Sequence, residues 1–346
     1  MSSSITLFGA GSWGTALAVH LAAAGRDVTL WARRPEAVEQ MRRTRSNPRY
    51  LPDLRIPEAV KLTSDLEAAA KASSIWAVAV PSQSLRSVAE RLRAHTGELD
   101  VLVSLAKGIE NDTLMTMSQV LGDVLPDVPD DRIGVLYGPS HAEEVAEGRP
   151  TTVVAAAPDE AVAERIQDAF MTKGLRVYVN TDVIGVEIGG SAKNVLAIAA
   201  GISDGVGYGD NAKAAIITRG LAEIRRLGIA MGARPQTFGG LAGIGDLVVT
   251  CMSQHSRNRH LGEQIGQGTT LDEVLEQMDM VAEGVRTTQS IHDLAQHYDL
   301  EMPITEAVYA VLFENERPRE MGMELMTRSA KREHWLPDTL QEAVSG

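Results

Sequence analysis

The sequence predicts an α/β protein: a doubly wound, mostly parallel sheet with helices on both faces, followed by an all-helical second half. Three observations carry that expectation. Short apolar runs without polar alternation recur up to about residue 180, as strands buried on both faces of a parallel sheet require. From Gly185 onward helical periodicity takes over and no clear strand is legible. The chain has 346 residues, more than one hydrophobic core usually spans, so two domains are expected, 1–180 and 181–346.

The elements follow in order. Ile5 to Phe8 reads as a short apolar strand, and Thr15 to Ala24 as a helix with Gly25 placed to end it. Val28 to Trp31 is the second strand, and Pro35 suits the first turn of the helix after it. Ile75 to Val80, Val101 to Ser104, Ile133 to Leu136, Thr152 to Ala156 and Leu175 to Val179 are the remaining strands, each near turn residues. The texture changes after Asn180. Candidate helices run over Gly185 to Ser203, Ala212 to Met231, Leu271 to Gln277, Thr287 to His297 and Ile304 to Phe313.

Composition excludes several classes. The net charge of −13 would repel a phosphate backbone, so no nucleic-acid partner is expected and any anionic ligand must be held by local positive charge. The single cysteine, Cys251, can form neither an internal disulfide nor a cysteine metal cluster, which suits the reducing cytoplasm. No His/Cys/Asp/Glu spacing resembles a zinc or calcium site, so no metal is expected. No apolar run reads as long enough to span a bilayer, and no signal peptide is visible, so no membrane insertion is expected.

The most specific local signal is Phe8 to Gly14, FGAGSWG, with G-x-G-x-x-G at Gly9, Gly11 and Gly14. It follows a strand and opens a helix, the context of a dinucleotide-binding Rossmann loop. Gly9 permits the tight turn, Gly11 lets backbone approach a pyrophosphate, and Gly14 allows close helix–strand packing. The alternative is a glycine turn with no ligand. The second strand then ends not in the acid that would hold a ribose 2′-hydroxyl but in Arg33 and Arg34. A guanidinium pairs with a 2′-phosphate and stacks on adenine, so NADPH is the expected cofactor, with NADH also usable. The alternative is a solvated basic patch.

Four stretches are candidates for substrate chemistry. SLAKGIE puts Lys107 just beyond a strand, and YGPSHAEE puts Gly138, Ser140 and Ala142 in a turn that opens a helix. EIGGSAKNVLAIAAG buries Lys193 and Asn194 in a small, apolar helix, where a lysine must snorkel to the surface or meet an anion. Such a lysine can donate or accept a proton, or it can be an ordinary surface lysine on an amphipathic helix. GIGDLVVTCMSQHSRNRHLG contains Asp246, which could orient Lys193, bind a substrate hydroxyl or simply cap a helix. The same stretch holds Ser256, Arg257 and Asn258, with Arg259, suited to a bound phosphate or to a solvated charge run. His141 and His255 read as bystanders.

Together these stretches resemble the bacterial NAD(P)-dependent glycerol-3-phosphate dehydrogenase family along nearly the whole chain. GAGSWGTALA, VTLWARR, NPRYLPD, AKGIE, YGPSHAEE, VEIGGSAKNVLAIAAG, NAKAAIITRGLAE, GIGDLVVTC, SRNRHLG, VAEGVRTT and EMPITEAVY carry the likeness, weak singly and specific in this order. The resemblance implies a Rossmann domain followed by a helical domain of the 6-phosphogluconate dehydrogenase-like type, with the active site between them. It implies reversible reduction of dihydroxyacetone phosphate to sn-glycerol 3-phosphate, the glycerophospholipid precursor. By motif, Lys193 is similar to the catalytic acid–base residue. Lys107, Gly138, Ser140, Asp246, Ser256, Arg257 and Asn258 are similar to substrate contacts. Gly9, Gly11, Ser12, Trp13, Gly14, Arg33, Arg34, Tyr50, Lys107, Ala142, Arg257, Val281 and Glu283 are similar to cofactor contacts.

One position departs from the family pattern: the glycine–proline–serine turn usually continues with Phe then Ala, and here with His141 then Ala142. The rival readings are a β-hydroxyacid dehydrogenase, which needs a carboxylate site where SRNR suits phosphate, and a non-catalytic NADP(H) sensor. The helical half could support a homodimer.

Overall fold

The computed structural model describes residues 4–278 and 282–330. Eight strands form one sheet: β1 Ser4–Phe8, β2 Asp27–Trp31, β3 Lys61–Thr63, β4 Ile75–Val78, β5 Val101–Ser104, β6 Ile133–Tyr137, β7 Thr151–Ala156 and β8 Leu175–Asn180, in the order β3-β2-β1-β4-β5-β6-β7-β8. Every pairing is parallel except β6 with β7. The helices among them are α1 Ser12–Ala23, α2 Pro35–Thr44, α3 Leu66–Lys71, α4 Leu85–Leu92, α5 Met117–Val124, α6 Ala142–Ala146 and α7 Glu160–Phe170. Two apolar clusters cover the two faces, one around Leu7, Leu30, Ile166 and Phe170 and one around Phe8, Trp76, Leu85 and Leu121. That double burial explains the unalternated strands. The strand missed in the sequence, β3, is three residues long and too short for any periodicity to register. Strand β4 stops at Val78, short of the expected Val80.

After β8 the chain is helical: α8 Val183–Val206, α9 Asp210–Ala230, α10 Asp246–Met252, α11 Arg257–Gly266, α12 Leu271–Gln277, α13 Glu283–His297, α14 Pro303–Phe313 and α15 Pro318–Thr327. Helix α8 is the axis of this half. Asp182 caps it, accepting from the Gly185 N–H at 2.9 Å, and every residue from Gly185 to Ser203 is buried. The sequence reading anticipated no run able to cross a bilayer, and α8 corrects it: by length and composition it could, but 89% of its apolar window is buried inside the protein. Its apolar character is that of a core helix wrapped on all sides.

Two approaches lock α8 in place. Its backbone meets α11 so closely that a Cβ on Gly201 would lie 2.0 Å from the Arg259 carbonyl oxygen, and one on Gly262 2.2 Å from that of Ile198. Toward the sheet, the buried Glu187 carboxylate accepts from the Ser118 N–H at 2.8 Å and from its hydroxyl at 2.5 Å, at the start of α5. Burial raises the Glu187 pKa, and these donors act against the rise.

Candidate active site

The glycine loop lies where the sheet order reverses, between β1 and β4, the crevice where open α/β sheets take their ligands. Gly9 has φ +125°, and a Cβ there would lie 2.3 Å from the Ala79 carbonyl oxygen. A Cβ on Gly14 would lie 2.0 Å from the Gly9 oxygen, whereas one on Gly11 would meet nothing within 4 Å. Two glycines therefore pack backbone on backbone and the middle one faces open space. The N-cap of α1 is Gly11, which has no side chain to fill the helix terminus, so the turn presents the start of α1 to a ligand. This cradle fits a pyrophosphate.

Arg33 and Arg34 are exposed at the end of β2, where Arg34 occupies the N-cap of α2. Tyr50 sits in the following loop, which Asn47 binds to the cradle by donating to the Ala10 carbonyl at 3.0 Å and to the Thr15 hydroxyl at 2.8 Å. Ala142, at the start of α6, packs with Ala16 and Leu51 beside Trp13. Val281 lies outside the described residues.

The second cluster is built from three separate elements. Asp246, at the first position of α10 and 1% exposed, receives the Lys193 ammonium of α8 at 2.8 Å on one oxygen and that of Lys107 at 2.7 Å on the other. Lys107 also donates to the Gly138 carbonyl at 2.8 Å, and the Ser140 hydroxyl donates to the same carbonyl at 2.9 Å. Lys193 also donates to the Thr250 hydroxyl at 2.7 Å, and Thr250 donates in turn to the Asp246 carbonyl at 2.5 Å. Lys193, 7% exposed, thus meets an anion, Asp246, rather than snorkelling. Two of the three Lys193 N–H bonds have protein partners, which leaves one for a ligand.

The electrostatics of this cluster are those of one anion between two cations. Burial opposes ionisation of Asp246, but the two lysines together hold its carboxyl below the usual range. Burial pushes the Lys107 ammonium down to about 8; Asp246 resists that shift and Lys193 adds to it.

A third group lies at the start of α11. Ser256 caps the helix, its hydroxyl accepting from the Arg259 N–H at 3.2 Å, with Arg257 exposed at the first position. The Asn258 side-chain oxygen accepts from the Gly284 N–H at 2.9 Å, which draws the starts of α11 and α13 together. Beside that junction Glu283 accepts from the Ser82 hydroxyl at 2.6 Å. Burial raises the Glu283 pKa, with Ser82 and the Arg257 charge acting against it. The His141 and His255 rings, 5.8 Å apart between centroids, bridge the Gly138–Ala142 turn and the Ser256 turn.

The structure therefore gathers Lys107, Gly138, Ser140, Lys193 and Asp246 by direct hydrogen bonds and sets Ser256, Arg257 and Asn258 at a neighbouring helix terminus. It places Gly9 to Gly14, Arg33, Arg34 and Tyr50 along the sheet crevice. Thr250 and Asn47 were missed. Thr250 sits four residues after Asp246, on the same helix face, and that spacing was its one available signal. No group of three metal-ligating side chains occurs among the described residues.

Comparison with known proteins covers the same ground. Family models described as the NAD-dependent glycerol-3-phosphate dehydrogenase N-terminus and C-terminus match residues 4–163 and 182–323. A glycerol-3-phosphate dehydrogenase (NAD(P)+) of Salinibacter ruber is 76% identical over 341 residues, covering 99% of each chain. One of Chlorobium phaeobacteroides is 55% identical over 95% of this chain and 98% of its own. The crystal structure of glycerol-3-phosphate dehydrogenase from Coxiella burnetii superposes with a TM-score of 0.90 at 38% identity, covering 94% of this chain and 99% of its own.

Proposed function

The chain belongs to the NAD-dependent glycerol-3-phosphate dehydrogenase family, and we propose that the Lys107–Asp246–Lys193 cluster is where it reduces dihydroxyacetone phosphate reversibly to sn-glycerol 3-phosphate. The observation that carries this reading is the buried lysine held by a carboxylate with one N–H to spare. Residues 1–180 bind the dinucleotide and residues 181–346 supply the acid–base lysine and the phosphate site.

The glycine cradle at Gly9, Gly11 and Gly14, with Ser12 and Trp13, would hold the pyrophosphate, and Arg33 and Arg34 the adenosine end. When bound, the reduced nicotinamide supplies the hydride that the ketone carbon accepts. The chain's own residues do the rest. Lys193 donates its remaining N–H to the ketone oxygen and releases a proton to it as negative charge develops there. Asp246 and Thr250 hold the Lys193 nitrogen in place. Lys107 balances the Asp246 charge and, with Gly138 and Ser140, lines the ketone end. Ser256, Arg257 and Asn258, at the start of α11, bind the phosphate through the guanidinium and the helix terminus. Product formed in this way is the backbone precursor of glycerophospholipids. The buried Cys251 thiol, pushed up to about 12 by desolvation, takes no part. A cytoplasmic homodimer completes the proposal.

The test is the initial rate of NADPH or NADH oxidation on adding dihydroxyacetone phosphate. Wild-type protein is expected to favour NADPH. Replacing Arg33 and Arg34 together with Ser should raise the KM for NADPH roughly tenfold or more, the worth of a charge-assisted contact, and leave that for NADH nearly unchanged. An equal effect on both cofactors removes the arginines from phosphate recognition. No rate with either, in protein that binds both, favours the sensor reading.

Lys107 makes a separate prediction. Its proton is lost near pH 8, so the KM for dihydroxyacetone phosphate should rise as pH climbs through 8, when one of the two cations beside Asp246 disappears. Lys107→Arg should carry its charge past pH 9 and flatten that rise. A rise identical in both proteins assigns it to another group.

A further inference from the structure

We propose that His141 is a substrate contact: its imidazole receives the phosphate end of the substrate and takes up one proton from solvent as that dianion binds. The inference rests on the reduction of dihydroxyacetone phosphate argued above. It starts from a buried His141 Nε2 that has no hydrogen-bond partner among the described residues. Unsatisfied buried nitrogens are costly and uncommon, and one at a ligand site is explained when the ligand completes it.

The position of the ring suits that role. His141 follows Ser140 in the turn whose Gly138 carbonyl holds Lys107, and it occupies the N-cap of α6. Its ring neighbours that of His255, directly before Ser256. The charges of Lys193 and Asp246 both act on it. His141 is therefore joined by the chain to the turn that holds Lys107 and by its ring to the residue before Ser256, the two groups that a three-carbon phosphate ester anchored at Lys193 has to reach.

The charged groups facing it are Lys193 from α8, Asp246 from α10, Glu143 and Glu144 from its own helix, and the neighbouring His255 ring. Desolvation and then Lys193 depress its pKa, against the weaker pull of the three acids, so without ligand the imidazole is neutral at pH 7. A phosphate dianion reverses the local sign. The ring gains a proton and its Nε2–H donates a charge-assisted hydrogen bond to a phosphate oxygen. Phenylalanine, the usual residue of the family pattern here, fills similar space and has no donor, so His141→Phe should fold.

The experiment is calorimetric titration of sn-glycerol 3-phosphate, and separately of inorganic phosphate, into the protein with NADPH, a pairing of reduced cofactor and reduced substrate that cannot react. Wild type, His141→Phe and His255→Ala are compared at pH 6.5, 7.5 and 8.5 in two buffers of different ionisation enthalpy. Wild type and His255→Ala should take up protons on binding beyond what His141→Phe does. His141→Phe should bind sn-glycerol 3-phosphate roughly tenfold more weakly at pH 6.5, with the difference shrinking toward pH 8.5. Affinity within about twofold of wild type and unchanged proton uptake in His141→Phe overturn the proposal. So does an uptake lost in His255→Ala instead. Reduction of dihydroxyacetone phosphate by the same preparations separates the two claims. Turnover without any His141 effect on binding sinks this inference alone, and His141-dependent phosphate binding without turnover sinks the reaction alone.

Discussion

Lys193→Ala should lower the turnover of dihydroxyacetone phosphate by ~10²–10⁴-fold at saturating cofactor, the range for loss of a positioned general acid. The fold should survive, because Asp246 keeps its contact with Lys107 at 2.7 Å. Lys193→Arg is the sharper variant. A guanidinium can replace the ion pair with Asp246 but does not release a proton near neutral pH. It should therefore retain the denaturation midpoint better than alanine and still lose most of the turnover. Steady-state rates beside urea titrations of each variant make the check. Arginine turning over within tenfold of wild type would reduce Lys193 to an electrostatic prop and move the proton donor elsewhere.

Asp246→Asn should be the most destabilising single change at the site. Two ammonium groups are brought to one carboxylate that is almost wholly buried. Removing the anion leaves like charges buried together, a loss of about 3–5 kcal/mol for a broken buried pair. The pH dependence has a definite sign. The folded Asp246 carboxyl ionises below its unfolded value, so its contribution is complete above the ordinary carboxylate pKa and fades as pH falls through the folded one. The folded Lys107 ammonium loses its proton near 8, below its unfolded value, so stability rises with pH between there and the ordinary lysine pKa. In Asp246→Asn the acid-side loss should disappear. The lysine contribution should begin at lower pH, since Asp246 is what resists the Lys107 shift. Urea midpoints from about pH 2 to about pH 10 test this; a wild-type midpoint at pH 7 would mean the lysines find other anions. Turnover should fall too, because Lys193 loses its orienting partner.

Features that depend on a few adjacent residues are legible in the sequence itself. The glycine loop is one, because its turn, open middle and helix start all lie within seven residues. Lys193 is another, since a charge in a run of small apolar residues has few ways to be accommodated. The alternation of strands and helices ended, as read, with β8 and α8. What sequence could not convey was convergence. Asp246 reads as a helix cap, an orienting group or a substrate-hydroxyl contact, and only the meeting of α8, α10 and the loop after β5 makes it a bridge between two lysines. Thr250 looked like any threonine beside a cysteine until Lys193 reached it. Asn47 acts across a sequence gap, on Ala10 and Thr15, that no local pattern spans. In the sequence His141 reads as a bystander for the same reason, because an unsatisfied nitrogen is visible only once its surroundings are fixed.

The crossing of α8 and α11 has a consequence for substrate size. Gly201 and Gly262 let the two backbones touch with no side chain between them. One of these helices carries the lysine proposed for the ketone and the other begins with the residues proposed for the phosphate. The gap between those two functions is thus a fixed ruler, set by main-chain atoms that cannot yield as side chains do. An added methyl at either glycine would lengthen the ruler, so on the proposed assignment substrate length from ketone to phosphate would be set by a contact that never touches the substrate.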